Sequence, residues 1–153
     1  MDLSPATIGA RVLRTRWLVR APIALYRVGL GALLGSRILM LEHRGRTSGL
    51  RRFVCLEVVE RPACDRILIV SGFGTRAQWY RNLRAHPRCF VGTGRRRRVP
   101  AVARLLPPEE SAAALDRYRA AHPRDWVLLR GAIERAVGHP VRSLPMVELL
   151  LQR

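Results

Sequence analysis

The sequence has no lysine. All 28 of its basic residues are arginine, set against only 11 acids, for a formal net charge of +17. An arginine bias of this kind is ordinary background for a GC-rich coding sequence, but it has a physical consequence. Each arginine offers a planar fork of donors that matches phosphate and carboxylate. Cysteine is scarce, and Cys55, Cys64 and Cys89 are odd in number and lack metal-ligand spacing, which excludes a disulfide framework and a zinc site. Cys55 and Cys89 lie in apolar stretches and read as small buried residues of a protein in a reducing, cytoplasmic compartment. Aromatics make up 6% of the chain, too few for a base-stacking sheet, and there is no helix-turn-helix pattern or regular basic stripe. The apolar stretch 17–41 is broken by Arg20, Pro22, Arg27 and Arg37, so it is not a membrane span, and no cleavable signal precedes it.

What is present suffices for one domain. The chain has 153 residues, 48% of them hydrophobic, enough to bury a core without staples. Residues 8–35 read as a basic, partly amphipathic helix. Such a helix either packs on the domain or lies on anionic lipid, and the sequence leaves both open. Strands are expected over 37–43, 52–60, 66–71, 88–92 and 94–105 from their β-branched and apolar runs, with turns at 45–49, 62–65 and 92–94. A short helix over 77–85 stops at His86-Pro87, and Pro107-Pro108-Glu109-Glu110 opens helices over 109–121 and 124–137. Residues 145–150 can return as a last strand. The expected class is α+β: a single domain, 1–153, with an N-terminal helical segment (1–36), a small antiparallel barrel core (37–105), and C-terminal helices with the last strand (106–153).

Two stretches carry chemistry. In Arg44-Gly45-Arg46-Thr47-Ser48-Gly49, glycines let backbone N–H groups approach an anion while hydroxyls and guanidinium groups add donors. A plain polar hairpin tip has the same residues, and the loop alone does not decide between them. It is not a P-loop, because a strand follows it and the lysine is missing. The second stretch is Ser71-Gly72-Phe73-Gly74, followed by Gln78-Trp79-Tyr80-Arg81-Asn82-Leu83-Arg84-Ala85-His86-Pro87. Trp79 and Leu83 share a helical face, as core packing requires, and Asn82 beside them can point either way.

Taken in order, a strand, a GRxSG turn, two more strands, a glycine-containing loop and WYxNLxAxP resemble the deazaflavin-dependent nitroreductase family. The resemblance spans residues 37–105, and helices after Pro107 fit it. It implies a split β-barrel of the flavin-mononucleotide-binding kind and the deazaflavin coenzyme F420, with flavin mononucleotide the lesser alternative. By position, Arg46, Thr47, Ser48 and Gly49 would hold the coenzyme's phosphate and acidic tail, with Arg51 or Arg52 assisting. Backbone around Cys55 and along Ile69, Val70, Ser71 and Gly72 would line the ring, and Trp79 and Asn82 would shape the groove. Some members place a C-terminal tyrosine near the substrate, which makes Tyr118 the catalytic candidate, with His122 and Trp126 as neighbours. The chain departs from the family in its short 72–78 loop, in Glu57, and in Glu42-His43 where small hydroxyl residues are usual.

The implied activity is hydride transfer from reduced coenzyme F420 to a quinone, nitro compound or activated double bond, by a monomer or homodimer, without metal. Two other readings are a non-catalytic cofactor, tetrapyrrole or lipid carrier on the same barrel, and a basic protein bound to nucleic acid without sequence preference. Peripheral contact with an anionic membrane would run through residues 8–36.

Overall fold

A computed structural model describes residues 37–153. The helix expected over 8–35 and the membrane contact assigned to 8–36 lie outside the described residues. Six strands form a closed antiparallel barrel: β1 (Ile38–Arg44), β2 (Arg51–Ala63), β3 (Arg66–Val70), β4 (Arg88–Thr93), β5 (Arg96–Leu105) and β6 (Met146–Leu151). Their order around the barrel is β1-β2-β3-β6-β5-β4, with β4 pairing back onto β1. Three α-helices accompany it: α1 (Gln78–Ala85), α2 (Pro108–Ala121) and α3 (Pro123–Val137). No helix of the described residues is long and apolar enough to cross a membrane.

Period-two patterning builds the barrel, because alternate side chains on a strand face opposite ways. Leu39 and Leu41 of β1, Ile67 and Ile69 of β3, Val91 of β4, and Val147 and Leu149 of β6 point inward and are almost fully buried. Each such side chain contributes roughly 1.5–3 kcal/mol of transfer free energy. Their neighbours Leu68, Val70 and Met146 point outward and form a second cluster with Leu115, Tyr118, Trp126 and Ile133 of α2 and α3. The strands β3 and β6 are therefore covered on both faces. α1 caps the barrel by sinking Trp79, Tyr80 and Leu83 into the inner cluster. α2 opens on Pro108 with Glu109 and Glu110 in its first turn, and α3 ends on Gly138 at φ 79°, the left-handed conformation that glycine adopts without penalty.

The expected elements and the α+β barrel are present, with two corrections. The turn expected at 62–65 is confined to Cys64-Asp65, because β2 runs on through Pro62 to Ala63. Beyond Val58, whose N–H donates to the Arg37 carbonyl at 2.7 Å, β2 has only β3 beside it among the described strands, and a proline without N–H is tolerated on such an edge. The turn expected at 92–94 falls at Gly94-Arg95 instead, since Thr93 still pairs with Arg96 across an irregularity in the ladder.

Candidate functional site

The β1–β2 hairpin turn, residues 45–50, closes on itself. The Gly45 N–H donates to the Leu50 carbonyl at 2.8 Å and the Gly49 N–H to the Gly45 carbonyl at 2.9 Å. Gly49 has φ 69°, which favours glycine, and a side-chain carbon at Gly45 would lie 2.6 Å from Ser48 Oγ, so the Ser48 hydroxyl would have to turn away from its place in the turn. Ser48 Oγ accepts the Leu50 N–H at 3.2 Å.

α1 pins this turn. Asn82 Oδ1 accepts from the Arg46 backbone N–H at 3.1 Å and from Arg46 Nη1 at 2.9 Å. Gln78 Oε1, one helical turn earlier, accepts from the same Nη1 at 2.9 Å. Both protons of Nη1 are thereby spent inside the protein. Among the described residues the Nε–Nη2 edge has no partner, and this is the fork that grips a phosphate or carboxylate bidentately. On the other side of Asn82, its Nδ2 lies 3.1 Å from His43 Nδ1. His43 is buried, and burial together with the nearby Arg52 charge pushes its pKa down to about 4. It is neutral at physiological pH.

The cavity between turn and helix measures about 480 Å3, and Arg46, Thr47, Ser48, Arg52, Trp79 and Asn82 stand on its walls. Among the described residues no aspartate or glutamate lines it. Past Gln78, which borders both, a larger groove of about 1000 Å3 runs along the 72–78 loop and the 137–144 connection. Phe73, 63% exposed, stands at its rim.

The sequence profile of the F420H(2)-dependent quinone reductase family matches residues 18–131. The chain belongs to that family. It is an F420-dependent oxidoreductase, and coenzyme F420 is its cofactor. Among solved structures it is similar to an F420-H2 dependent reductase at 24% identity, over 74% of this chain and 93% of that one, with a TM-score of 0.53. A domain-swapped dimer matches at 22% identity over 94% of this chain and 98% of the other, with a TM-score of 0.55. A pyridoxamine 5'-phosphate oxidase-like protein from Listeria innocua matches at 11% identity over 84% and 94%, with a TM-score of 0.53. At such identities these likenesses speak to the split-barrel fold alone. No curated protein matches the sequence.

The donor set suits the family's coenzyme, which carries a phosphate and several glutamate carboxylates. An acid-free cavity with a half-committed guanidinium, a second arginine and two hydroxyl side chains stabilises such an anion rather than repelling it. Among the described residues no group of three or more His, Cys, Asp or Glu could hold a metal ion.

The expected residues divide among several places. Arg46, Thr47, Ser48, Arg52, Trp79 and Asn82 converge on the one cavity, and Gly49 shapes its turn. Arg51 leaves it: its Nε donates to Glu42 at 2.8 Å, beside an outer cleft that also contains Met40, Phe90 and Arg98. Cys55 pairs with Met40 on β1 and is half-buried, and burial pushes its thiol up to about 11. Ile69 is inside the barrel, and Val70 lies under the helices. Ser71 is fully buried, its hydroxyl donating to the Gly74 carbonyl at 2.6 Å. Gly72 lines the larger groove. Tyr118 faces a different cavity, where its hydroxyl donates to Glu57 at 3.3 Å, with Arg37, His122 and Asp125 nearby. Trp126 is buried in the cluster under α3.

Two site residues escaped the sequence reading. Gln78 was legible in principle, since it stands four residues from Asn82 on a helix whose adjacent Trp79–Leu83 stripe is buried. His43 gave no such signal, because its partner is 39 residues away.

Proposed function

We propose that the cavity of Arg46, Thr47, Ser48, Arg52 and Asn82 holds the phosphate and carboxylate tail of coenzyme F420, and that the groove beyond Gln78 receives the ring and a quinone acceptor. The carrying observation is the Arg46 guanidinium, held on one nitrogen by Gln78 and Asn82 with its fork free in a cavity without acids. Trp79 walls the tail, and Gly72 borders the ring's groove with its backbone, the place of its missing side chain facing Ile133. When bound, the reduced deazaflavin supplies the hydride. The protein's part is to fix the tail, exclude water, and offer apolar groups of Phe73, Val137 and Val141 to the acceptor. Arg51 stays outside this proposal, since Glu42 engages its side chain, while the backbone of Cys55, Ile69, Val70 and Ser71 is kept in it as lining for the ring. An apolar quinone drawn from a bilayer gives the basic 8–36 segment a use as a peripheral membrane contact, which liposome sedimentation with and without that segment tests.

The decisive experiment is a fluorescence titration with coenzyme F420 and, separately, flavin mononucleotide, repeated on Arg46→Gln. Coenzyme F420 is expected to bind well below millimolar. Losing a charge-assisted pair worth about 1.5–3 kcal/mol weakens it roughly 10- to 100-fold. Equal affinity in the variant removes Arg46 from the site. Binding no tighter than about millimolar, roughly −4 kcal/mol, in the unmodified protein removes the proposal.

A further inference from the structure

We infer that His43 is a positioning residue, which sets the orientation of the Asn82 amide and through it the presentation of Arg46 to an anion. The inference rests on the tail-site reading for its functional consequence, though not for its structural content.

A side-chain amide has two nearly isosteric ends, and its neighbours decide which way it points. Here Oδ1 receives two donors from Arg46, the backbone N–H at 3.1 Å and Nη1 at 2.9 Å. Reversing the amide would turn its NH2 toward both. Nδ2 therefore faces His43, and at 3.1 Å Nδ1 must offer a lone pair, so the proton of the neutral ring sits on Nε2. A protonated ring would set an N–H against the amide NH2 and favour the reversed amide, which Arg46 opposes. His43 is 6% exposed, and Asn82 is 5% exposed, so water does not substitute easily for a missing partner. The charge that acts on the ring is that of Arg52 on β2; Arg46 lines the same cavity from the turn, and among the described residues α1 contributes Gln78, Trp79 and Asn82 to it. No carboxylate on that cavity wall stands ready to stabilise an imidazolium. The chain His43–Asn82–Arg46 thus has one satisfied arrangement, and that arrangement exposes the Arg46 fork.

Asn82 is the only asparagine in the sequence. Asparagine-selective 15N labelling therefore yields a single side-chain NH2 pair in the unmodified protein and in His43→Leu, and two in His43→Asn, where adding Asn82→Ala identifies the pair of Asn82. Labelling with 15N-arginine reads the Arg46 amide, and neither readout needs a cofactor. Three proteins are compared: unmodified, His43→Asn, which keeps an acceptor oxygen near the place of Nδ1, and His43→Leu, which keeps bulk and loses the acceptor. A slowly exchanging NH2 pair and a protected Arg46 amide are expected in the first two and lost in His43→Leu. Coenzyme F420 should bind His43→Leu about tenfold more weakly, the equivalent of one net hydrogen bond, and His43→Asn within about threefold of unmodified protein. Unchanged exchange in His43→Leu overturns the inference, as does failure of folded His43→Asn to restore protection. If the unmodified protein binds no coenzyme, the tail-site reading falls, and the exchange comparison still decides the role of His43. If His43→Leu does not fold, His43→Ala, which also lacks the acceptor, makes the same comparison against His43→Asn.

Discussion

Arg98 holds the carboxylate of Glu42 by both edges, Nε 3.0 Å from Oε2 and Nη2 3.0 Å from Oε1. The same guanidinium lies 3.8 Å from the centre of the Phe90 ring, and its backbone has φ 44°, a conformation a non-glycine residue adopts only under constraint. Glu42 also accepts from Arg51, and it is buried while both arginines are largely exposed. Burial alone would raise its pKa, but the hydrogen bonds from Arg98 and Arg51 outweigh burial and bring it below the usual value of 4.5. A carboxylate depressed in the folded state contributes stability above its unfolded pKa and loses it as pH falls through the folded value. Glu42→Gln is therefore expected to cost about 1–2 kcal/mol at neutral pH. The difference from the unmodified protein should shrink below about pH 4.5, as denaturant unfolding at several pH values will read.

His43 titrates in a separate window with its own sign. Its folded pKa of about 4 lies below the ordinary 6.5, so between those values the unfolded chain binds more protons and stability rises with pH. At pH 7 the group costs nothing. By pH 4 its contribution has fallen by up to about 3 kcal/mol. Thermal melts between pH 4 and 7 should show this slope in the unmodified protein, and a flatter one in His43→Asn. Parallel slopes would mean that the ring is not held neutral by its surroundings.

Phe73 stands exposed beside the groove assigned to the acceptor, away from the Arg46 cavity. Phe73→Ser is expected to raise KM for a soluble quinone about five- to tenfold, since an aromatic contact contributes about 1 kcal/mol. The affinity for coenzyme F420 should stay put. A loss of coenzyme affinity with unchanged KM would place the acceptor elsewhere.

Tyr118 offers the opposite expectation. Burial first, then the charge of Glu57, pushes its hydroxyl up to about 12, so it keeps its proton and donates to Glu57. Its cavity, next to Arg37 and Asp125, does not share a residue with the Arg46 cavity. Tyr118→Phe should leave single-turnover hydride transfer within about threefold and cost about 1 kcal/mol of stability, by leaving Glu57 with Arg37 as its remaining donor. A drop of a hundredfold in that rate, with folding intact, would give the hydroxyl a place in proton delivery.

Local pattern explains what the sequence made legible. Apolar and β-branched runs pointed to five strands and the possible sixth, and Pro107-Pro108-Glu109-Glu110 marked the start of α2, because these signals lie within a few residues of what they specify. Trp79 and Leu83 could be placed in the core from spacing alone. The orientation of Asn82 could not, since it depends on Arg46 and His43, 36 and 39 residues away. The same holds for Arg51, which turns from the tail cavity because Glu42 draws it out, and for Tyr118, whose partner Glu57 is 61 residues distant. The sequence shows which residues carry chemistry, and long-range pairing decides which of them share a cavity.

The position of β6 between β3 and β5 bears on how the protein comes into being. During synthesis β3 leaves the ribosome with one flank unpaired, and so does β5 when it follows. Both wait for residues 146–151, which bridge them through pairs such as Ile69–Val147 and Ala103–Leu149. Until then two open strand edges are available to any neighbouring chain. The chemistry in the first half of the molecule thus depends on a stave laid last. Slow emergence or premature termination after α3 should direct the chain toward association and chaperone capture rather than toward a soluble partial enzyme.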